Sequence, residues 1–278
     1  MIGFRPVVPF AGLSGFAFLE RTMVRQTEAF NRAPELARES AHFRERIGAI
    51  ASAEALVADR RLLAVALGAF GLQDDIDNRF FIRRVLEDGS QARDGLANRL
   101  SDKRYRAFAE SFGFGDPGGA RTAEAGFAER IVSAFQTRRF EIAVGESDAS
   151  LRLALNARRE LPDIAARASS DTTLWLEILG TPPLRDVFET AFGLPKGFGA
   201  LDLDRQVEVV RDRSLRAFGS SAVAQFADPE RLEALTRRFL LRAQAEAGPG
   251  PGTPGLVALG LLRGGGGASP ATLFAARV

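Results

Sequence analysis

The chain has 278 residues, 46% hydrophobic and 26% charged, which is enough for one large globular domain or two small ones. It has no cysteine, so disulfides, thiolate metal sites and cysteine nucleophiles are excluded. The single histidine, His42, excludes a site that needs two imidazoles from one chain. The formal net charge is only +2 and both signs are mixed along the chain. This pattern argues against nucleic-acid binding, which needs clustered positive charge.

The N-terminal segment, residues 1–15, is predicted to be an irregular arm. Its apolar run is interrupted by Pro6, Pro9, Gly12 and Gly15. It lacks a small-residue cleavage site and continues directly into a helical pattern, which argues against a secretory signal. No apolar run approaches the roughly 20 residues of a membrane-spanning helix. We therefore expect no membrane span and a cytoplasmic protein.

Residues 52–89 have the clearest helical organisation. Ser52 is the expected N-cap of a helix that ends at Gly71, because glycine readily adopts the left-handed C-cap conformation. Asp74 or Asp75 is expected to cap a second helix, with Ile76, Phe80 and Val85 on its apolar side. The short connection predicts that these two helices pack as a hairpin.

The same reasoning predicts further helices on both sides. They cover residues 16–32, 35–50, 101–112, 124–144, 149–168, 171–179, 182–192, 203–218 and 228–245. Asp148, Asp171 and Asp228 are the expected N-caps of three of them, and Pro162 is expected to kink or break another. Period-2 alternation is nearly absent. The sequence therefore predicts an all-α protein, a bundle-like or orthogonal array of about ten to twelve helices.

Residues 16–245 are expected to form a single helical domain, with a candidate subdivision at the glycine-rich segment 113–122. The tail, residues 246–278, is rich in glycine and proline and is expected to be disordered. The sequence AFGL occurs at residues 69–72 and 191–194, each time before aspartates and a charged helix. This recurrence suggests an internal duplication, although Phe-Gly also simply ends helices elsewhere in the chain.

The sequence does not match the common catalytic and metal-binding motifs. DDIDN at residues 74–78 resembles a calcium loop, but Arg79 and Phe80 occupy positions that need a ligand and a glycine. The glycine clusters lack the ending of a phosphate loop. His42 is read as a hydrogen-bonded or surface histidine rather than a lone general base. No catalytic, cofactor-binding or metal-binding residue is predicted, although a carboxylate pair in a cleft remains open.

Arginine doublets recur on the predicted helices, at residues 60–61, 83–84, 138–139, 158–159 and 237–238, and the first two supply candidate interaction residues. Arg60, Arg61, Arg83 and Arg84 are candidates for a surface that binds an acidic partner. The alternative is that they are solvated and paired with acidic residues one turn away. Tyr105 joins the candidates, although its aromatic stripe with Phe108 and Phe112 is also typical of core packing.

Several stretches together resemble one family. They are RESAHFRERIGAIASAEALVADRRLLAVALGAFGLQDD, FFIRRVLEDG, LANRLSDKRYRAFAESFGF, RLALNARRELPDIA and LDLDRQVEVVRDRSLRAFG. The chain is identified on these segments as similar to the domain-of-unknown-function family 1217, bacterial proteins often encoded among flagellar genes. The resemblance spans about residues 26–242. It implies a helical protein in a flagellar context and brings no catalytic residues or cofactor.

The leading hypothesis is a non-enzymatic helical protein that binds a protein partner, a flagellar component, in flagellar assembly or regulation. One alternative is a hydrolase with a carboxylate-based site in a cleft between helices. Another is an arginine-dependent regulator that binds nucleic acid, which requires the arginine doublets to share one face. The flagellar context also allows the N-terminal arm to be an export signal.

Overall fold

The structure is a computed structural model and describes residues 4–248. Within that range the chain forms helices and no β-strand, which confirms the all-α prediction. The α-helices are α1 (Gly12–Asn31), α2 (Pro34–Arg46), α3 (Ala53–Ala58), α4 (Arg60–Phe70), α5 (Arg79–Asp88), α6 (Leu96–Arg99), α7 (Arg104–Phe112), α8 (Phe127–Gly145), α9 (Ala149–Ala165), α10 (Asp171–Leu179), α11 (Pro182–Phe192), α12 (Leu203–Phe218) and α13 (Pro229–Glu246). Four short 3₁₀ helices join them, at Ile47–Ala49, Gln73–Asp75, Phe198–Ala200 and Val223–Ala227. Nearly all of the predicted disordered tail lies outside the described residues.

Two helices are present beyond those predicted. The segment expected to be one helix after Ser52 is divided at Asp59, whose side chain accepts hydrogen bonds from the backbone N–H groups of Arg61 and Leu62. Asp59 is thus the N-cap of α4, and its extended backbone ends α3. The four-residue helix α6 carries too little pattern to be recognised in the sequence.

Helix α5 buries a different face from the one predicted. Its buried side chains are Ile82, Val85 and Leu86, whereas Phe80, predicted to face inward, is 83% exposed. Phe80 lies about 200° around the helix from Ile82, on the solvent side. The 3₁₀ helix Gln73–Asp75 delays the start of α5 to Arg79, so neither Asp74 nor Asp75 caps it. α5 packs mainly on α3 and α7, in place of the predicted hairpin with α4.

The other predicted helix ends are mostly confirmed. The side chains of Ser52, Asp148 and Asp228 accept hydrogen bonds from backbone N–H groups in the first turns of α3, α9 and α13. The prediction for Asp171 is wrong, because Ser170 is the N-cap of α10. Helix α9 continues through Pro162 to Ala165 without a break.

Two hydrophobic cores meet along α8. The first core contains side chains of α2 to α5 and of α7, such as Phe43 and Phe108, together with Phe127 and Phe135 of α8. The second core contains α1, the C-terminal part of α8, and α9 to α13, with Trp175 fully buried. The boundary between the cores therefore falls within α8 and not at residues 113–122. In that segment Asp116 is buried and accepts hydrogen bonds from both the backbone N–H and the hydroxyl of Ser90.

The order and packing of the helices repeat between the two halves, α2–α7 and α9–α13. Helices α4 and α11 both end in Phe-Gly, with Gly71 and Gly193 at φ 71° and 60°, and a 3₁₀ helix follows each. α4 packs on α2, α3 and α7, and α11 packs correspondingly on α9, α10 and α13. The long helices α1 and α8 precede the two halves, and each also packs on the opposite half. This arrangement supports the predicted duplication.

The irregular N-terminal arm is shorter than the predicted residues 1–15, because α1 already begins at Gly12, and it packs on its own domain. Residues 4–11 form no helix, and Pro6 is buried. The side-chain amide of Gln26 on α1 accepts a hydrogen bond from Val7 N–H at 2.6 Å and donates one to Val7 C=O at 3.1 Å. One buried glutamine therefore binds the arm to the first helix. Across residues 4–248, the helices are too short or too polar to cross a membrane.

Candidate functional site

Three of the five predicted interaction residues lie on one surface, around an exposed phenylalanine. Arg83 and Arg84 follow Phe80 by three and four residues on α5, which places them on the same helix face. Arg60, at the start of α4, reaches Asp77 just before α5, with Nη1 and Oδ1 2.5 Å apart. We call Arg60, Phe80, Arg83 and Arg84 the Phe80 surface.

The arginines of the Phe80 surface are engaged in ion pairs. Arg83 pairs with Glu87 at 2.7 Å and Arg84 with Asp88 at 3.0 Å, both across one helical turn. Both pairs agree with the alternative prediction that the doublets are solvated and paired with acidic residues one turn away. Exposed pairs of this kind contribute little to stability, so a partner could replace Glu87 at little cost, whereas Asp88 is only 19% exposed and also accepts a hydrogen bond from Leu96 N–H.

The other two predicted interaction residues lie elsewhere. Arg61 lies on the side of α4 that faces α2, where its charge opposes the burial that raises the pKa of Glu39. Tyr105 is turned inward: its hydroxyl donates to Asp75 at 2.5 Å and its ring meets the Phe81 ring edge-on at 5.2 Å. Burial and this bond to Asp75 raise the pKa of Tyr105 above its ordinary value. Tyr105 is therefore part of the packing and not a free contact residue.

The arginine doublets do not share one face. Arg158 points outward to Glu20, and Arg238 donates to the backbone carbonyl of Ala191 on α11. Arg138 and Arg159 instead point into the protein, where α8 meets α9. The sequence could not show these different directions, because an exposed and a buried arginine doublet read alike in a helical sequence.

Arg138 and Arg159 belong to a largely buried cluster of charges between the two halves. Arg159 binds both carboxylate oxygens of Glu141, at 2.7 and 3.0 Å, and also donates to Glu160 at 3.0 Å. Arg138 donates to the same Glu160 at 2.6 Å. On the side of the first half, Arg104 binds Asp102 and the backbone carbonyl of Gly71. The cluster thus joins α4, α7, α8 and α9.

The charges of this cluster are unevenly compensated. Burial opposes the charge of Arg159, but its hydrogen bonds to Glu141 outweigh that effect and raise its pKa. Among residues 4–248, Arg138 has only a shared carboxylate as its partner, and its side chain is 16% exposed. Burial, together with the neighbouring charge of Arg159, lowers the pKa of Arg138 to about 10. Arg138 is thus the least well neutralised cation of the cluster.

A cavity of about 220 Å³ opens beside the cluster. It lies between the end of α4, the start of α7, and helices α8, α9 and α11. Its lining is mixed in charge and comprises Phe70, Gly71, Gln73, Asp74, Arg104, Arg138, Glu141, Ile142, Arg152, Leu153, Asn156, Glu160, Thr181, Pro182, Pro183 and Asp186. These residues come from distant parts of the chain, so no local motif could reveal the cavity.

The remaining candidates take structural roles. The Nε2 atom of His42 lies 3.3 Å from Asp59, the N-cap of α4, which agrees with the reading of His42 as a hydrogen-bonded histidine. The aspartates of DDIDN separate: Asp75 meets Tyr105 and Asp77 meets Arg60. No group of three or more potential metal ligands occurs within residues 4–248.

The fold and the cavity define an all-helical protein of two similar halves that enclose a charged cavity. Residues 69–232, more than half of the chain, match the family described as "Protein of unknown function (DUF1217)", and the chain belongs to this family. The predicted resemblance is confirmed, and every residue that lines the cavity falls within the matched span.

One solved structure shares the fold. The crystal structure of protein AGR_C_984 from Agrobacterium tumefaciens superposes with a TM-score of 0.70 and is 27% identical in sequence. The match covers 86% of this chain and 97% of that chain. The comparison with curated proteins found no match. The similarity therefore extends over almost the whole of the Agrobacterium protein.

Proposed function

We propose that this chain is a non-enzymatic protein that binds a partner protein in flagellar assembly or its regulation, through the Phe80 surface. The observation that carries the proposal is the exposure of Phe80, the most exposed large hydrophobic side chain in residues 4–248. Exposed aromatic and arginine side chains together are the residue types that dominate binding energy in protein interfaces.

The local geometry indicates what such a partner must offer. The ring of Phe80 needs an apolar pocket, in which it would lose its contact with water. The guanidinium groups of Arg60, Arg83 and Arg84 need carboxylates or carbonyls that replace their present carboxylate partners. Because the partners of Arg60 and Arg83, Asp77 and Glu87, are exposed, exchange at these two arginines costs little and adds geometric selectivity.

The flagellar part of the proposal rests on the flagellar context that the resemblance to this family implies. A cytoplasmic or flagellum-associated location belongs to the same proposal, as does export by the flagellar pathway. The rival hypotheses receive less support. In the charged cavity, Glu141 and Glu160 already accept hydrogen bonds from arginines, which disfavours either as a general base. The divergent doublets disfavour a nucleic-acid interface.

The test is a pull-down from motile cells with the tagged protein and mass spectrometry of the retained proteins. Phe80→Ala removes the exposed ring, and Leu241→Ala is the matched control, since Leu241 is 49% exposed on the distant helix α13. We expect the wild type and Leu241→Ala to retain a flagellar component and Phe80→Ala to lose it. Equal melting temperatures of the three proteins would exclude misfolding as the cause.

Two results would contradict the proposal. Recovery of a metabolic enzyme complex without any flagellar component would reject the flagellar role. Retention of the same partner by Phe80→Ala and by the double variant Arg83→Ala, Arg84→Ala would reject the Phe80 surface as the binding site.

A further inference from the structure

Another hollow, in the surface of the first half, is lined by polar and charged residues. Its volume is about 430 Å³. The lining comprises three arginines, one glutamate and three uncharged polar residues, which are Arg93, Arg106, Arg121, Glu110, Ser90, Gln91 and Asn98. We call it the arginine hollow. A wall of this composition favours a ligand that is recognised by charge and hydrogen bonds rather than by apolar contact.

The three arginines of the arginine hollow come from three separate segments of the chain. Arg93 is in the loop between α5 and α6, Arg106 is on α7, and Arg121 is in the glycine-rich segment 113–122. Within residues 4–248 none of the three forms an ion pair, whereas Arg84 and Arg104, which are close to them in the chain, each pair with an aspartate. The fold therefore brings together three guanidinium groups that it does not itself neutralise.

The charges that line the arginine hollow are unbalanced. Among the described residues, Glu110 is the one acidic side chain in the lining, so three cations against one anion leave a formal charge of +2. Arg93 and Arg106 are exposed and Arg121 is half-buried. Their guanidinium groups can therefore turn towards a ligand without disturbing the core. An anionic ligand of about two charges would balance the hollow.

A buried carboxylate fixes the floor of the arginine hollow. Asp116 is 6% exposed and accepts hydrogen bonds from the backbone N–H and the hydroxyl of Ser90 and from the backbone N–H of Gln91, at 2.7, 2.8 and 3.1 Å. These three donors compensate the charge of Asp116. The loop that carries Arg93 is thereby held against the segment that carries Arg121.

The same two segments also pack backbone against backbone. Gly89 has a φ of 70°, and a Cβ atom at this position would lie 2.7 and 2.8 Å from the carbonyl carbon and oxygen of Gly115. The side-chain amide of Asn98 donates to the carbonyls of Ser90 and Ala92, both at 2.8 Å, and so closes the loop. The arginine hollow thus has a preorganised frame, which lowers the cost of binding a ligand.

We propose that the arginine hollow binds a small phosphorylated molecule, with its phosphate group held by Arg93, Arg106 and Arg121. A phosphate monoester carries a charge of about −1.5 to −2 at pH 7 and three acceptor oxygens. It therefore matches a lining with a formal charge of +2 and three guanidinium groups. A carboxylate fits less well, because it has two oxygens and a single arginine can bind both of them.

The size of the arginine hollow agrees with a ligand larger than a phosphate ion. Its volume of about 430 Å³ falls within the roughly 300–1,000 Å³ of small-molecule sites, so there is room for the group that carries the phosphate. The hollow is separate from the Phe80 surface and from the charged cavity. Binding there does not depend on the proposed function.

The experiment is titration calorimetry of the purified full chain with inorganic phosphate, pyrophosphate and glycerol 3-phosphate, in about 0.15 M salt to screen weak surface interactions. Glycerol and succinate are the matched compounds, since glycerol lacks the phosphate group and succinate replaces it with two carboxylates. We expect the phosphate compounds to bind and to raise the melting temperature. Both matched compounds should bind at least about tenfold more weakly.

Three variants locate the site. Arg93→Ala and Arg106→Ala each remove one exposed guanidinium group from the arginine hollow. Arg99→Ala is the control, because Arg99 is an exposed arginine on the nearby helix α6 that does not line the hollow. We expect the affinity for glycerol 3-phosphate to fall about tenfold or more in the first two variants and to stay within about twofold in the control. Equal melting temperatures without ligand would show that all variants fold.

Three outcomes overturn the proposal. If none of the phosphate compounds binds, the three arginines are solvated side chains without a ligand. If succinate binds as tightly as glycerol 3-phosphate, the hollow recognises negative charge and not the phosphate group. If glycerol 3-phosphate binds equally well to Arg93→Ala and Arg106→Ala, its site lies elsewhere on the protein.

Discussion

Arg159 holds Glu141 through two hydrogen bonds, with Nε 2.7 Å from Oε1 and Nη2 3.0 Å from Oε2. The pair joins α9 to α8, the helix along which the two hydrophobic cores meet. The Glu141 side chain is only 8% exposed, so it depends on Arg159 for compensation of its charge. Helices α8 and α9 are therefore joined by a partly buried ion pair as well as by apolar packing.

Arg159→Met should strongly destabilise the protein. The substitution retains much of the side-chain volume but leaves the carboxylate of Glu141 buried without its partner, which typically costs about 3–5 kcal/mol. Guanidinium unfolding followed by circular dichroism measures the change in the free energy of unfolding. The double variant Arg159→Met, Glu141→Gln should recover part of the loss. A loss below about 1 kcal/mol in the single variant would show that Glu141 finds water or another donor.

Arg138→Met should have a much smaller effect, although Arg138 is the more buried of the two arginines. Burial lowers the pKa of Arg138 to about 10, which means that the folded protein disfavours its charge. Its removal leaves Glu160 still bound to Arg159. We expect a change within about 1 kcal/mol, or a gain in stability, because replacing a poorly compensated buried charge is often neutral or favourable. The same denaturant titration checks this, and a loss as large as that of Arg159→Met would contradict it.

Local patterns predicted the helices well, because each helix carries its own periodicity and its own end signals. Gly71 and Gly193 end helices in the left-handed conformation, and Asp148 and Asp228 begin them, as the sequence indicates. The errors arose where two local signals compete. Asp59 caps α4 within an otherwise continuous helical pattern, and the 3₁₀ helix Gln73–Asp75 leaves Ile76 outside α5, which starts only at Arg79.

The charged cavity could not be predicted, for a different reason. Its wall includes Gln73, Arg138 and Asn156, which are far apart in sequence and approach one another only when the two halves pack. Sequence shows the charge of Arg138 but neither its burial nor the carboxylate that it shares with Arg159. Phe80 is a comparable case on the surface, since hydrophobicity alone cannot tell an exposed contact residue from a core residue.

The Asp59–His42 contact should contribute to stability in a pH-dependent way. Burial of Asp59 would raise its pKa, but hydrogen bonds from the backbone of Leu62 and Arg61 and from His42 outweigh it and lower the pKa below 3.8. A carboxylate whose pKa is lower in the folded than in the unfolded protein stabilises the fold at pH values above its unfolded pKa. This contribution is lost as the pH falls through the folded pKa.

The test compares the wild type with Asp59→Asn, which retains an N-cap side chain but removes the charge. Urea unfolding at a series of pH values should show the wild type to be more stable at neutral pH. The difference should shrink below about pH 4, as the carboxylate becomes protonated. A difference that is independent of pH would mean that geometry, and not charge, makes Asp59 the better cap.

Phe108→Ala should cost about 3–5 kcal/mol, since Phe108 is fully buried in the first core and meets the Phe70 ring at 5.3 Å. Phe80→Ala is the matched substitution of an exposed ring and should change the free energy of unfolding by no more than about 0.5 kcal/mol. Denaturant unfolding of both variants measures the contrast. A large loss for Phe80→Ala would mean that the ring is covered in solution, for example by a second copy of the chain.

Gln26→Leu should release the N-terminal arm from α1 without unfolding the helices. Gln26 is buried and bonds both the N–H and the C=O of Val7, so the substitution removes two hydrogen bonds between arm and helix. Hydrogen exchange followed by mass spectrometry should show the Val7 amide exchanging at least about tenfold faster, with the core helices unchanged. The exposed neighbour Arg25→Ala is the control. Unchanged protection of Val7 in Gln26→Leu would show that the buried Pro6 and its contacts hold the arm. Because an export signal must be accessible and unstructured, an arm that stays bound in this variant would also argue against that role.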